Sequence, residues 1–282
     1  MLLFYKQNIQ FISEHATDPD KRRYIIPDEA PRHYLDIDHY GTYPFDALPR
    51  KWEDAVAKYS EDTLMAYGIV PWWVQIMKSR LTNAFKEKDA AKILKLSADI
   101  GHYVADAHVP LHTSSNHNGQ LTGQQGIHAF WESRIPELLV EKEWSFFIGK
   151  ADYIKSTSDF IWERVLESAV AADSVLKFEK ELSLKFPSDK RFAFEERNGV
   201  VQRQFSTAYS IAYNNMLNGM IERRMRQSIF AVASFWYTAW TDAGQPDLSQ
   251  LSHQTFSQEE LKEFEELNKA WRSSPTKGRK EE

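Results

Sequence analysis

The chain has 282 residues, 42% of them apolar and 13% aromatic, with a formal net charge of -5. So much apolar side chain can bury a sizeable core, which excludes a disordered chain, and the negative balance excludes a polyanion binder that works through bulk charge. With no cysteine, disulfides and thiolate zinc sites are excluded as well, and any metal must rest on histidine, carboxylate or backbone oxygen.

Helical periodicity dominates and no alternating strand stands out, so the expectation is an all-α chain folded as a single compact multi-helix domain over residues 1–272. No apolar run is long enough to span a bilayer. Residues 2–15 read as an amphipathic helix, with Leu3, Phe4, Ile9, Phe11 and Ile12 near one face. Nothing like an N-cap precedes them, and Lys6 and Gln7 cut the apolar run too early for a signal peptide. The start therefore reads as the middle of a helix, with an upstream segment missing.

A polar turn is expected at Asp18-Pro19-Asp20, and residues 21–47, with three prolines, read as irregular. Helices follow near 49–58, 61–67, 71–87 and 89–108, with Asp89 as the N-cap of the last and Pro110 ending it. Residues 113–126 form a polar, glycine-containing loop, which could serve as a substrate lid. Residues 127–141 and 156–184 read as helical, and Pro187 and Ser188 punctuate the chain. One long helical region, broken at most once, is expected from 199 to 242, with its aromatics in the core. A short acidic helix near 257–271 precedes a polar tail, 273–282, expected to be frayed and disordered.

Eight of the nine histidines lie within the first 128 residues. His102 and Asp106 stand four apart on one helix face, about 5–6 Å apart at Cβ. Alone, such a pair is most simply a hydrogen-bonded couple. His128 and Glu132 repeat the spacing after the loop, and His112 lies between the two pairs, just past Pro110. Two pairs with a fifth donor between them are the pattern that a divalent metal selects, zinc above all. By contrast, Asp18 read alone is a turn former, and Asp36 and Asp38 read as a solvated face. His15 reads as a helix C-terminal residue favoured by the dipole. His39, His117 and His253 have no partner in the pattern, and His108 has no assigned role. Arg22 and Arg23 offer either phosphate neutralisation or surface salt bridges.

His102-x-x-x-Asp106-x-x-x-Pro110-x-His112 followed by His128-x-x-x-Glu132 resembles the zinc-dependent phospholipase C and single-strand nuclease superfamily, from about Asp18 through the Phe235–Trp240 helix. The resemblance implies a compact helical fold with three zinc ions in a cleft. It implies that His102 and Asp106 bind one zinc together with His33 and an aspartate fourteen or fifteen residues before it, which selects Asp18 over Asp20. His112, His128 and Glu132 would bind a second zinc. Asp106 would bridge to a third, whose N-terminal tryptophan and first-helix histidine are absent here; His15 is the first substitute to consider. Two zinc sites are thus supported by the residues present. Asp18 is the candidate ligand, base, or both.

The implied activity is hydrolysis of phosphodiester bonds by a secreted or periplasmic enzyme. Phospholipid head groups are favoured over nucleic acid by the acidic net charge, the missing cysteines and the short loop before Glu132. The alternatives are a single-strand nuclease, with Pro71-Trp72-Trp73 or Phe130-Trp131 as base platforms if they are not core, and an inactive zinc-binding remnant.

Overall fold

The computed structural model describes residues 1–197, 199–251 and 256–277. The chain is mostly helical. The helices are α1 (Leu2–Gln7), α2 (Ile9–His15), α3 (Asp18–Arg22), α4 (Trp52–Tyr59), α5 (Glu61–Tyr67), α6 (Val70–Glu87), α7 (Ala90–Asp106), α8 (Ile127–Ala129), α9 (Ile135–Glu143), α10 (Thr157–Lys185), α11 (Thr207–Met216), α12 (Met220–Asp242) and α13 (Gln258–Ser273).

The long helices make the frame. α6 and α7 form a hairpin whose turn places Lys88 in the left-handed region, and the Asp89 carboxylate caps α7 by accepting from the Lys92 amide. α7 buries Ala90, Ile93, Leu94, Ser97 and Ala98, the spacing of one helix face. α12 packs across both helices and α10 packs on α6. Trp72, Phe85, Ile93, Tyr103 and Phe235 belong to the core so formed. A second core gathers Leu111, Phe130 and Trp131 against Tyr209, Tyr213 and Ile221. Trp72, Trp73, Phe130 and Trp131 are all buried, so they are core aromatics and not exposed platforms.

The local departures from expectation have identifiable causes. The first helix breaks at Asn8, whose backbone leaves the helical region. Asp18-Pro19-Asp20 opens a short helix, α3, because proline is favourable in a first turn. Residues 192–197 and 200–205 form an antiparallel hairpin, β1 (Phe192–Arg197) and β2 (Val200–Phe205), where helix was expected from 199. Asn198-Gly199 between β-branched and aromatic residues is a hairpin signal that helical periodicity obscured; residue 198 itself lies outside the described residues. Asn218 and Gly219, both at positive φ, separate α11 from α12.

The polar loop is firmly built. Asn116 is buried and hydrogen-bonds Thr122 and the Leu121 amide, and Gln124 donates to the Leu176 carbonyl at 2.9 Å and to Glu179 at 2.6 Å. Such anchoring is the opposite of what a mobile lid needs. The start of the expected tail is also engaged: the Lys277 amide donates to the Arg23 carbonyl and its ammonium to the Ile25 carbonyl, each at 2.8 Å. Residues 278–282, and His253, lie outside the described residues.

Candidate metal centre

Two groups of side chains that could hold a metal ion form in the structure. The first draws on three distant segments. α7 supplies His102 and Asp106, whose Nε2 and Oδ2 are 3.3 Å apart. A single 3-10 turn, Ala30–His33, supplies His33, whose Nδ1 lies 2.9 Å from Asp106 Oδ2 and 3.1 Å from His102 Nε2. α3 supplies Asp20, with Oδ1 at 3.7 Å from His33 Nδ1 and 3.5 Å from His102 Nε2.

Asp18, the aspartate that family spacing selected, does not join this group. Its carboxylate is taken by His15 Nδ1 at 2.5 Å and Lys21 Nζ at 2.6 Å. Both partners offset the cost of burial and hold its carboxyl below the ordinary range. Residues at i and i+2 on a helix point about 200° apart, so when α3 turns Asp20 toward His33 and His102 it turns Asp18 away. Spacing counted along the chain missed this; the helical phase of Asp-Pro-Asp, had a helix been expected there, was the usable signal. His15, bound to Asp18, stacked on Phe11 and packed at a tilt against Phe264, is likewise outside both groups.

The second group is His112, His128 and Glu132. His128 Nε2 is 2.8 Å and His112 Nε2 3.7 Å from Glu132 Oε2. His112 sits on the 3-10 turn Pro110–Thr113, where Pro110 redirects the chain after α7. Glu132 lies in a π-helical turn, Phe130–Arg134, joining α8 to α9, a form frequent at functional positions. Among the described residues the two places where three such donors lie mutually close are Asp20, His33 and His102, with Asp106 beside His33 and His102, and His112, His128 and Glu132.

The ring nitrogens away from each group are fixed by backbone oxygens. Nδ1 of His102 faces the Ala16 carbonyl at 3.0 Å, that of His112 the His33 carbonyl at 2.7 Å, and that of His128 the His117 carbonyl at 3.0 Å. A carbonyl accepts only, so each Nδ1 carries a proton and Nε2 is the ring atom turned to the group. The loop thus has a role that its sequence did not reveal: the His117 carbonyl orients His128, and Asn118 Oδ1 accepts from the Gly126 and His128 amides at the start of α8. His39 stacks on Tyr67, away from both groups.

His33 is oriented differently, with Nδ1 in the group and Nε2 3.8 Å from Glu29 Oε1. Glu29 is fully buried, and Tyr103, Arg32 and Arg22 also converge on it. Burial alone would raise its carboxyl, but His33, Arg22, Tyr103 and Arg32 bring it down to about 2. Glu29 lies behind His33 of the first group and was not anticipated. Arg22 is equally structural, paired with Asp99 at 3.0 Å. Asp36, expected on a solvated face, is buried, while Asp38 is exposed and accepts from Ser114 and Ser115.

The donor chemistry fits divalent cations. Around a tetrahedral centre with bonds of about 2.0–2.1 Å, neighbouring donors stand roughly 3.3 Å apart. Among Asp20, His33 and His102 the separations run from 3.1 to 3.7 Å. Electrostatics agree: against the cost of burial, Asp106 and Asp20 push His102 up to about 10, and His112 and His128 hold Glu132 well below the usual carboxylate range. The first group therefore favours added positive charge, and Glu132 stays an anion in the second. Both open on one cleft of about 660 Å³, lined by Asp20, Asp106, His112, His128 and Glu132 and also by Lys21, Arg23, Tyr24, Trp271 and Thr276. Against known proteins, no family, no curated protein and no solved structure matches the chain.

Proposed function

We propose that the chain is a zinc-dependent hydrolase of phosphodiester bonds with the helical fold of the phospholipase C and nuclease type. The observation that supports it is the opening of two donor groups on one cleft. Imidazole with carboxylate suits zinc, and three protein donors in the second group leave room for a fourth, exchangeable ligand. When bound, zinc polarises phosphoryl oxygens and lowers the pKa of water toward neutrality.

The chain's own residues hold this chemistry in place. Backbone carbonyls fix the tautomers of His102, His112 and His128, and Glu29 backs His33. Lys21 and Arg23 also line the cleft, where they pair with Asp18 at 2.6 Å and with Asp20 at 3.8 Å. Asp20, with its side chain 43% exposed, is better placed than Asp18 to act as ligand or base. Phospholipid head groups remain the first substrate class on the sequence features given above, and secretion or periplasmic residence is part of the same reading. Nucleic acid is the second reading, favoured by Trp271 on the cleft wall.

The test is zinc per chain by elemental mass spectrometry, with hydrolysis of a nitrophenyl phosphodiester. Two zinc ions and turnover are expected, and His128→Ala should lose one ion and the turnover while its circular dichroism stays helical. Zinc without turnover would leave the inactive remnant, and no zinc after incubation would end the metal reading.

A further inference from the structure

Asp20 rides on α3, a helix of five residues, too short to hold its own shape. Its neighbours must hold it. α3 is fastened to α7 through Arg22, which pairs with Asp99 at 3.0 Å. It is also covered from the far end of the chain, because α13 packs on it. Trp271 lies with its ring centroid 6.0 Å from Lys21 Nζ. Past α13, Lys277 donates from its amide to the Arg23 carbonyl and from its ammonium to the Ile25 carbonyl, just beyond α3. Arg23 in turn reaches Asp20, with Nη1 3.8 Å from Oδ1. Upstream, Phe264 lies against Phe11 and His15 of α2, and Glu263 pairs with Lys95 of α7 at 2.8 Å. α13 is thus strapped across α2, α3 and α7.

The strap is lightly held. Within α13 only Leu267 is buried. Its packing is incomplete, since Leu267 and Phe264 line a cavity of about 370 Å³ together with Ile25 and Ile26. The pair between Lys95 and Glu263 lies toward solvent, where ion pairs contribute little. An element with so little burial opens at the low end of local unfolding free energies, while the core stays folded.

Release of α13 would disturb one donor above the rest. The Asp20 side chain is 43% exposed, against 12% for His102 and 0% for His33. It would lose the strap behind Lys21 and Arg23, while His33 and His102 keep their places in the interior. The second group takes no residue from α3.

We propose that α13 is a strap whose docking positions Asp20 in the first donor group, so that docking of α13 and binding of an ion at that group favour each other. Such a coupling is reciprocal by thermodynamic necessity. It rests on the metal reading of the first group and requires no turnover.

The experiment uses the full chain. Competition with a chromogenic chelator gives the two zinc affinities, and the step missing in Asp20→Asn belongs to the first group. Leu267→Asp sets a charge in the buried contact of the strap. It should weaken that step by roughly 10- to 100-fold, the range for supports behind a ligand, and leave the other step unchanged. Leu267→Met should restore it. Hydrogen exchange reads the same coupling without touching the strap: α13 amides of the wild type should exchange more slowly once zinc is bound, and those of Asp20→Asn should not. Two ions held as tightly in folded Leu267→Asp as in the wild type overturn the proposal alone, as does equal weakening of both steps. Where Leu267→Asp does not fold, exchange decides, and α13 amides indifferent to zinc overturn it. A wild-type chain that binds no zinc removes the metal reading and the proposal with it.

Discussion

His112, a donor of the second group, gives its Nδ1 proton to the backbone carbonyl of His33, a donor of the first, at 2.7 Å. The bond is answered by the chain itself, since the Leu35 amide donates to the His112 carbonyl at 2.9 Å. The two groups are therefore stitched through main chain, and a shift of residues 33–35 moves a ligand in each.

Gly68 tests this coupling. It sits at φ +95° against Tyr34, and a Cβ there would come within 2.2 Å of the Tyr34 carbonyl oxygen, the acceptor of the Val70 amide. Both the conformation and the space demand glycine. Gly68→Ala should cost roughly 2–4 kcal/mol in urea unfolding and weaken zinc binding at both groups. Wild-type stability in that variant would show that the segment carrying His33 yields easily.

The two neighbouring aspartates should behave oppositely. Asp20→Asn should lose one zinc per chain by elemental analysis. Asp18→Asn should keep its zinc and lose stability instead, because Lys21 and His15 lose a partner while largely buried. The reverse pattern would restore the assignment that family spacing gives.

Glu29→Gln keeps the shape of a fully buried side chain and removes the charge facing His33. Replacing such a partner behind a ligand lowers metal affinity by about 10- to 100-fold. Competition with a chromogenic chelator measures this, and an unchanged affinity would reduce Glu29 to a clasp for Arg22 and Arg32.

His108 supplies a pH dependence of stability. It is buried, its Nδ1 faces the Val104 carbonyl at 2.7 Å, and burial first, then the charges of Arg224 and Arg164, push it down to about 3. The folded-state value lies below the unfolded one, so beneath pH 6.5 the unfolded chain binds the extra proton. Stability is thus lost as pH falls from about 6.5 toward 3, by about 2 kcal/mol at pH 5. On zinc-free chain, the difference between wild type and His108→Gln should flatten this slope. Parallel curves would place the acid sensitivity elsewhere.

Much of the candidate site was legible because its strongest signals are local. His102 with Asp106 and His128 with Glu132 are each one helical turn apart, so periodicity alone aligns them. Asp20 and Glu29 were missed because their roles depend on how α3 and the turn at Ala30–His33 settle on α7, a long-range arrangement that no spacing encodes. The long helices carried clear apolar faces, whereas the hairpin at 192–205 mixes charged residues with exposed Phe194, Val200 and Val201, which blurs its alternation. Trp271 escaped notice because an acidic amphipathic helix shows nothing of the surface that it will flank.

The mutually close donors of the first group span residues 20 to 102 and those of the second only 112 to 132. An ion in the first fastens a far longer loop of chain, and the entropy of closing a loop grows with its length. That ion can be gained only when the N-terminal segment has docked, and is lost with it. The second group can gather from one loop and one helix. Stepwise denaturation of the metal-loaded chain should therefore release the two ions in order, the one from the first group leaving as the N-terminal third detaches and the other following later.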